Sequence, residues 1–287
     1  MAAKRHVESG PGSVRPAADS PWAEAPIHLQ ELLTLATSLA RDAGRVHVDG
    51  MQGALRIETK SSPTDLVSQV DREAERFIVH RLGELRPDDA VVGEEGALGQ
   101  GTSGVRWIID PLDGTTNYVY GYPAYAVSIA VEIEGQPQIG VVYDSSAGRL
   151  YRAIRGSGAV CDDQPIHVRE QPDLATALVA TGFSYEAAQR ERQGSVVAQV
   201  LGRVRDIRRG GTAALDLCHV AAGHTDAYWE LDLSPWDYAA GAVIAREAGA
   251  EVEFPPAAHG HGPAVVAAHS SLMPAFLKLL RETEALA

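Results

Sequence analysis

The sequence predicts a layered α/β fold, in which helices cover the faces of sheets. Apolar residues recur at helical spacing in residues 27–48, and they alternate with period two in residues 125–134. Helical and strand-like patterns alternate again through the last third of the chain. Because the helices come in groups separated by strands, the pattern indicates an α/β sandwich of several layers.

The domain organisation follows from composition and length. Residues 1–26 contain four prolines among Ala, Gly, Ser and charged residues, without the apolar run of a secretory signal. We expect them to form a disordered tail. The remaining residues, 27–287, are expected to form a single domain, with two subdomains (about 27–180 and 181–287) as the alternative.

The individual elements are predicted in chain order. The helix of residues 27–48 is followed by a loop at 60–65 and by a helix that starts at a capping box of Ser68 and Asp71 and runs to about Leu85. Short buried strands at 90–92 and 106–109 precede an antiparallel meander over 125–154. The last third reads as strands at 178–180, 226–231 and 265–267 and helices at 186–204, 212–222, 235–248 and 272–280.

Charge and cysteine content exclude several classes of protein. Lys and Arg number 25 and Asp and Glu 38, so the net charge is −13 and a nucleic-acid partner is not expected. No apolar run reaches the roughly 18 residues of a membrane helix, so no membrane partner is expected either. Two cysteines do not make a disulfide scaffold, and the cytoplasm is the expected location.

Three acidic motifs stand out. Gly-Glu-Glu at 93–95 follows a predicted strand, Asp-Pro-Leu-Asp-Gly-Thr-Thr-Asn at 110–117 follows another, and Trp-Asp at 236–237 opens a helix. Open α/β sheets place their ligands at such strand ends. Each motif taken singly also has a plain structural interpretation, as loop charge or as a helix cap.

The 110–117 motif is the hardest to explain without a ligand. Asp110 and Asp113 lie three positions apart on a stiffened turn, so one would stay protonated unless a cation joined them. Oxygen donors without nearby Cys or His favour Mg²⁺ over zinc, and the Leu112 carbonyl is a further oxygen. A short helix is expected to begin at Gly114 and Thr115, where free N–H groups bind phosphate. The motif therefore indicates metal-assisted phosphoryl transfer to water.

These motifs resemble those of the inositol monophosphatase family, in the lithium-sensitive, magnesium-dependent phosphatase superfamily. The likeness extends to residues 60–67 and 211–214, and it covers about 27–280. Several spaced motifs in the same order are a specific signal. The resemblance implies an αβαβα sandwich, a homodimer, two or three Mg²⁺ ions per subunit, and hydrolysis of a small phosphate ester such as inositol 1-phosphate.

The resemblance also implies roles for single residues. It assigns Asp71 and Thr115 to the orientation and deprotonation of water, and it counts Glu94 and Asp110 with them as catalytic. The implied metal ligands are Glu94, Asp110, the Leu112 carbonyl, Asp113, Asp237 and, for a weaker third ion, Glu95. The implied substrate contacts are Leu112, Asp113, Gly114, Thr115, Gly211, Thr212, Ala213, Glu230 and Asp237.

The sequence leaves alternatives open. Histidinol phosphate, fructose 1,6-bisphosphate and a 3′-phosphoadenosine nucleotide are substrates of related enzymes with the same metal residues. A non-catalytic binding protein is a further alternative, supported by the tail and by the basic run of Arg203, Arg205, Arg208 and Arg209. His259 and His261 lie in a Gly-rich loop and are interpreted as a solvated segment, and Gly156-Ser157-Gly158 only superficially resembles a phosphate loop.

Overall fold

The structure is a computed structural model that describes residues 21–51, 56–60, 66–259 and 262–287. The helices are α1 (Ile27–Gly50), α2 (Gln69–Leu85), α3 (Thr115–Tyr120), α4 (Ala187–Leu201), α5 (Ala213–Ala221), α6 (Pro235–Glu247) and α7 (Met273–Glu282). The strands are β1 (Ile57–Thr59), β2 (Leu66–Ser68), β3 (Ala90–Gly93), β4 (Leu98–Gly99), β5 (Val105–Asp113), β6 (Ala126–Ile133), β7 (Gln136–Asp144), β8 (Arg149–Ile154), β9 (Ala159–Cys161), β10 (Gln164–Pro165), β11 (Leu178–Thr181), β12 (Asp206–Arg208), β13 (Ala227–Glu230), β14 (Ala250–Glu253) and β15 (Val265–His269).

Two main sheets organise the chain. The first has the strand order β10-β9-β8-β7-β6-β5-β3-β4, and β5 to β8 pair antiparallel in sequence. The predicted meander is thus confirmed. The second sheet has the order β12-β11-β13-β15-β14, in which β11 runs parallel to both of its neighbours.

Helices cover both sheets, which gives five layers. Val127, Ile129 and Val131 of β6 pack with α1 and α2 in one apolar cluster. Ala126 and Ala130, on the opposite face of the same strand, pack with α5 and α6 between the sheets. Helices α4 and α7 share a third cluster on the outer face of the second sheet. The predicted αβαβα sandwich is therefore confirmed.

The packed part of the chain begins earlier than the sequence predicts. Trp22 is only 4% exposed, packs in the α1–α2 cluster, and lies with its ring 4.9 Å below the Arg152 guanidinium. The prediction of a disordered tail is wrong for residues 21–26, because an indole buries enough apolar surface to outweigh a Pro- and Gly-rich composition. Residues 1–20 of the predicted tail, and residues 61–65 of the predicted loop, lie outside the described residues.

Several predicted boundaries are also wrong. Strand β5 continues to Asp113, although the sequence predicts its end at Ile109. Helix α4 is shorter than the predicted 186–204. The short strands β4, β9, β10, β12 and β14 are missed, because two to four residues show no measurable period.

The length and composition of the helices bear on whether any of them could cross a membrane. Within the described ranges, no helix combines the length and the apolar character that crossing a bilayer requires.

Candidate active site

A β-bulge in β5 carries the central acidic motif. Asp110 lies opposite Ser128 of β6 and Asp113 lies opposite Ala126, so three steps on one strand match two on the other. Pro111 lies inside the bulge, where its missing N–H costs the ladder no hydrogen bond. A bulge re-aims the side chains around it. Asp110 and Asp113 are both buried, and the Leu112 N–H donates to Asp110 Oδ1 at 3.0 Å.

Gly114 turns the chain from this strand into α3. Its φ is +92°, and a Cβ there would lie 2.6 Å from Thr212 Cγ2 and 2.8 Å from the Ala124 carbonyl oxygen. Both the left-handed conformation and the close approach require glycine. The short helix predicted at residues 114–116 is confirmed.

His47 of α1 contacts the backbone of the bulge, and the sequence did not predict this role. Its Nε2 lies 2.8 Å from the Pro111 carbonyl oxygen and its Nδ1 lies 2.9 Å from Ser145 Oγ. Burial lowers the pKa of His47 to about 4, although the contact with Pro111 opposes that shift. His47 occupies a regular core position of an amphipathic helix, so nothing in the sequence distinguished it from a packing residue.

Thr115 and Asp71 form a hydrogen-bonded pair. Thr115 Oγ1 lies 2.7 Å from Asp71 Oδ1 and 3.1 Å from the Leu112 carbonyl oxygen, and its single proton serves one of them at a time. Ser68 donates to Asp71 Oδ2 from its N–H at 2.9 Å and from its hydroxyl at 2.6 Å. The predicted capping box is therefore present, and it also orients the partner of Thr115.

Asp113 and Asp237 are each held by one oxygen. The Ala214 N–H, at the start of α5, donates to Asp113 Oδ2 at 2.8 Å. The Ser234 N–H donates to Asp237 Oδ2 at 2.6 Å within the capping box that starts α6. In both aspartates one carboxylate oxygen is thus fixed by a backbone amide.

The three buried aspartates have raised pKa values, and burial is the largest cause in each. Burial, followed by the charges of Glu94, Asp113 and Asp237, raises the pKa of Asp110 well above its usual value. Burial and the Asp237 charge do the same to the pKa of Asp113. Burial and Glu94 raise the pKa of Asp237 to about 8. Carboxylates so placed are charged together only when a cation balances them.

Lys60 is a cation beside this cluster that the sequence analysis did not assign a role. Its Nζ lies 2.8 Å from Glu94 Oε1 and 2.5 Å from Glu95 Oε1. Partial burial lowers the pKa of Lys60, but Glu94 and Glu95 outweigh that effect and hold it above its usual value. The Glu95 N–H donates to Glu75 Oε2 at 2.9 Å, so Glu75 is a second missed neighbour.

The donor set fits a hard divalent cation. The clustered donors are carboxylates and the Leu112 carbonyl, which suit Mg²⁺. Among the described residues, no three His, Cys, Asp or Glu side chains already converge tightly enough to hold one ion. Their mutual effect on pKa nevertheless places Asp110 near Glu94, Asp113 and Asp237.

A cavity of about 430 Å³ adjoins the aspartates. Its walls include five of the predicted site residues, together with Phe183 and Arg209, which were not predicted to lie at the site. The five are Asp113, Gly211, Ala213, Glu230 and Asp237. The other predicted residues do not line it: Asp71, Glu94, Glu95, Asp110, Leu112, Gly114, Thr115 and Thr212. The cavity therefore joins the acidic cluster at its Asp113–Asp237 side.

The 156–158 segment and part of the basic run form hydrogen bonds and ion pairs within the fold. The N–H groups of Gly156, Ser157 and Gly158 all donate to the Glu247 carboxylate of α6, at 2.8 to 3.1 Å. In the basic run, Arg203 pairs with Glu282 and Arg208 with Asp206. Residues 260 and 261 of the His-Gly-His-Gly loop lie outside the described residues.

Comparison with known proteins assigns the family. Residues 28–284 match the sequence model of the "Inositol monophosphatase family". The chain belongs to this family. An "Inositol-1-monophosphatase" of Mycobacterium leprae is 43% identical over 279 residues, which span 90% of this chain and 96% of the relative. A "Nus factor SuhB" of Vibrio cholerae is 42% identical over 227 residues, 78% of this chain and 85% of the relative.

A solved structure agrees with the fold. The suhB protein of Bartonella henselae superimposes with a TM-score of 0.80 at 36% identity, over 88% of this chain and 98% of that one. Family membership supports a phosphatase, a hydrolase that acts on a small-molecule phosphate ester, and the family is generally Mg²⁺-dependent.

Proposed function

We propose that this protein is a Mg²⁺-dependent phosphatase that hydrolyses inositol 1-phosphate to inositol and phosphate. The observation that carries the proposal is the buried group of Asp110, Asp113 and Asp237, whose pKa values are all raised and of which Asp113 and Asp237 line a 430 Å³ cavity. Such a group needs divalent cations to become fully charged, and bound cations then attract an anionic phosphate to a protein of charge −13.

We propose the ligands of the ions from the residues that occupy the motif positions of the family. Glu94, Asp110 and the Leu112 carbonyl would hold a first Mg²⁺, Asp110, Asp113 and Asp237 would hold a second, and Glu95 would serve a third. When bound, the ions supply Lewis-acid activation of the attacking water and of the leaving oxygen. Lys60 would have to give up part of its contact with Glu94 and Glu95 for those carboxylates to bind a cation.

Thr115 and Asp71 would move the proton of the attacking water. Water would attack phosphorus in line with the ester oxygen as the P–O bond to that oxygen breaks, and the departing alkoxide would take a proton from solvent water. The proton of the attacking water would pass to Thr115 Oγ1, and Thr115 would give its own proton to Asp71 Oδ1, which lies 2.7 Å away. Burial raises the pKa of Asp71, whereas hydrogen bonds from Ser68 and Thr115 counteract that rise. A carboxylate with a raised pKa is a stronger proton acceptor, which suits a general base. The Gly114 and Thr115 N–H groups would hold phosphate oxygens.

The other wall of the cavity would bind the leaving group. Gly211, Thr212, Ala213 and Glu230 would contact the inositol ring, because a carboxylate such as that of Glu230 accepts hydrogen bonds from ring hydroxyls. Ala213 and Glu230 line the cavity, and the Thr212 hydroxyl is buried without a partner among the described residues. We further propose that two chains form a homodimer, which sedimentation of the purified protein would test.

The test is phosphate release from inositol 1-phosphate across a Mg²⁺ titration. Histidinol phosphate, fructose 1,6-bisphosphate and a 3′-phosphoadenosine nucleotide are assayed alongside. We expect Mg²⁺-dependent release with the highest kcat/KM for the inositol ester. A higher kcat/KM for another ester would keep the phosphatase and replace the substrate, and no release from any ester would refute the proposal.

A binding function is the second candidate, since relatives such as that of Vibrio cholerae are named as Nus factors. A protein that acts only by binding would keep its partner when catalysis is removed. Asp113→Asn separates the two functions, because it changes the acidic cluster and leaves the surface of the molecule intact.

A further inference from the structure

The carboxylate of Glu230 is fixed from its own strand. The Tyr228 hydroxyl donates to Glu230 Oε2 at 2.6 Å. The two residues are two apart on β13, so their side chains leave the same face of the sheet. Tyr228 is completely buried in the cluster between the sheets. The core packing of the tyrosine ring therefore determines where its hydroxyl, and with it Oε2, lies.

Gly182 supports the same carboxylate from the neighbouring strand. It follows β11, which runs parallel to β13 with Thr181 opposite Trp229. A Cβ on Gly182 would lie 2.0 Å from Glu230 Oε1 and 2.1 Å from both Cδ and Oε2. The carboxylate thus lies flat across the Gly182 α-carbon, and any side chain at this position would displace it.

One carboxylate oxygen of Glu230 remains available. Oε1 receives no hydrogen bond from any residue in the described ranges, and Glu230 lines the cavity with Asp113 and Asp237. A carboxylate with one oxygen fixed and the other open is an acceptor of defined direction. Acceptors that are held rigidly lose less conformational entropy when they bind, so they discriminate better between ligands.

We propose that Tyr228 is a positioning residue for substrate selection, which together with Gly182 orients Glu230 so that Oε1 accepts a hydrogen bond from a ring hydroxyl of a cyclic polyol phosphate. The inference rests on the phosphatase function proposed above and deepens it, because it names the device that selects the leaving group. Phosphate esters without a hydroxyl at that place cannot form the hydrogen bond to Glu230 Oε1, so the orientation of Glu230 does not affect their binding.

The test compares two substrates in the Mg²⁺-loaded enzyme. Inositol 1-phosphate presents ring hydroxyls and 4-nitrophenyl phosphate presents none. For Tyr228→Phe we expect the KM for inositol 1-phosphate to rise about tenfold, a ratio that corresponds to about 1.4 kcal/mol, with kcat nearly unchanged. Both constants for 4-nitrophenyl phosphate should stay within about twofold of the wild type, since the lost bond serves only the polyol.

Tyr151→Phe is the matched control. Tyr151 is equally buried in the same cluster, but its hydroxyl contacts no carboxylate of the cavity. Its removal should leave the kinetics of both substrates unchanged. Gly182→Ala is the second test variant, and it should repeat the selective rise in KM because it pushes the Glu230 carboxylate aside.

The outcomes separate this inference from the proposed function. Equal losses on both substrates, or no loss on either, in Tyr228→Phe and Gly182→Ala would overturn the positioning role while a Mg²⁺-dependent wild-type activity kept the phosphatase. A wild type that cleaves 4-nitrophenyl phosphate but not inositol 1-phosphate would overturn both the polyol selection and the proposed substrate, and it would keep the phosphatase. A wild type inactive on both would end both proposals.

Discussion

Asp113 and Asp237 each accept a hydrogen bond from a backbone amide with one carboxylate oxygen. The donor is the Ala214 N–H for Asp113 and the Ser234 N–H for Asp237. The other oxygen is directed by that bond. The amides lie at the starts of α5 and α6, where the helix dipole also favours a negative charge. The same contacts that begin the two helices therefore orient the two carboxylates, so local structure and site geometry cannot be changed independently.

Replacing Asp113 by Asn should remove the activity and keep the fold. The amide still accepts from Ala214, but it has no charge to share with a cation, so we expect kcat to fall at least about a hundredfold. Activity assays and circular dichroism of the purified variant measure the two effects. Turnover close to that of the wild type would remove Asp113 from the site.

Thr115→Val keeps the shape of the side chain and removes its hydroxyl. If Thr115 relays a proton to Asp71, kcat should fall by about 10²–10⁴ with little change in KM. Thr115→Ser, which keeps the hydroxyl, is the control and should retain most of the activity. A Val variant as active as the Ser variant would show that the relay is not used.

His47 makes stability depend on pH. Its pKa is about 4 in the folded chain and about 6.5 when exposed, so the unfolded chain binds the proton first as the pH falls. The contribution of His47 to the free energy of unfolding should therefore decrease from pH 6.5 to pH 4, by about 2–3 kcal/mol at most. Urea titrations of the wild type and of His47→Gln measure this difference. His80→Gln, on an exposed part of α2, should keep the wild-type pH dependence.

At the scale of elements, the segment before α1 contributes to the core. Trp22 packs against the α1–α2 layer although it lies outside any helix or strand. Trp22→Ala should lower the free energy of unfolding by about 3–5 kcal/mol, since it removes a buried aromatic ring. Ile27→Ala, at the exposed start of α1, should change it by less than about 1 kcal/mol. Equal effects in chemical denaturation would mean that Trp22 does not pack as described.

The β5 bulge is the element that the sequence indicated least well. Residues 110–113 read as a turn because of Pro111, yet they continue the strand with one extra residue. The pairing partner β6 decides this, and β6 lies more than ten residues away. Strand pairing across that distance is a tertiary property, so local turn preference did not predict it.

For the whole molecule, the acidic cluster links metal, pH and stability. Asp110, Asp113 and Asp237 have raised pKa values in the fold, so the folded state holds protons that the unfolded chain has released. In the metal-free protein, the contribution of these three aspartates to the free energy of unfolding should decrease as the pH rises from about 4 to about 8. Mg²⁺ replaces the protons, so it should raise Tm more at pH 8 than at pH 5.5.

Thermal unfolding after chelation, with and without added Mg²⁺, measures this coupling. Asp237→Asn removes one of the repelling charges, so the metal-free variant should have a higher Tm than the wild type at pH 8. An equal Mg²⁺ effect on Tm at both pH values would contradict a cation site made of these carboxylates. The single domain over residues 27–287 stays a prediction, which the cooperativity of the same transitions would examine.

The sequence by itself determined the layered fold, most helices, the meander and the acidic motifs, because hydrophobic period, helix caps and motif spacing are local properties. Only the tertiary structure decided which distant groups surround those motifs. His47 below the bulge, Lys60 beside Glu94, and Tyr228 with Gly182 around Glu230 come from different elements. In the amino-acid sequence alone, each of them resembles an ordinary core, loop or strand residue. Their roles arise from packing contacts between residues far apart in the chain, and local sequence patterns carry no record of such contacts.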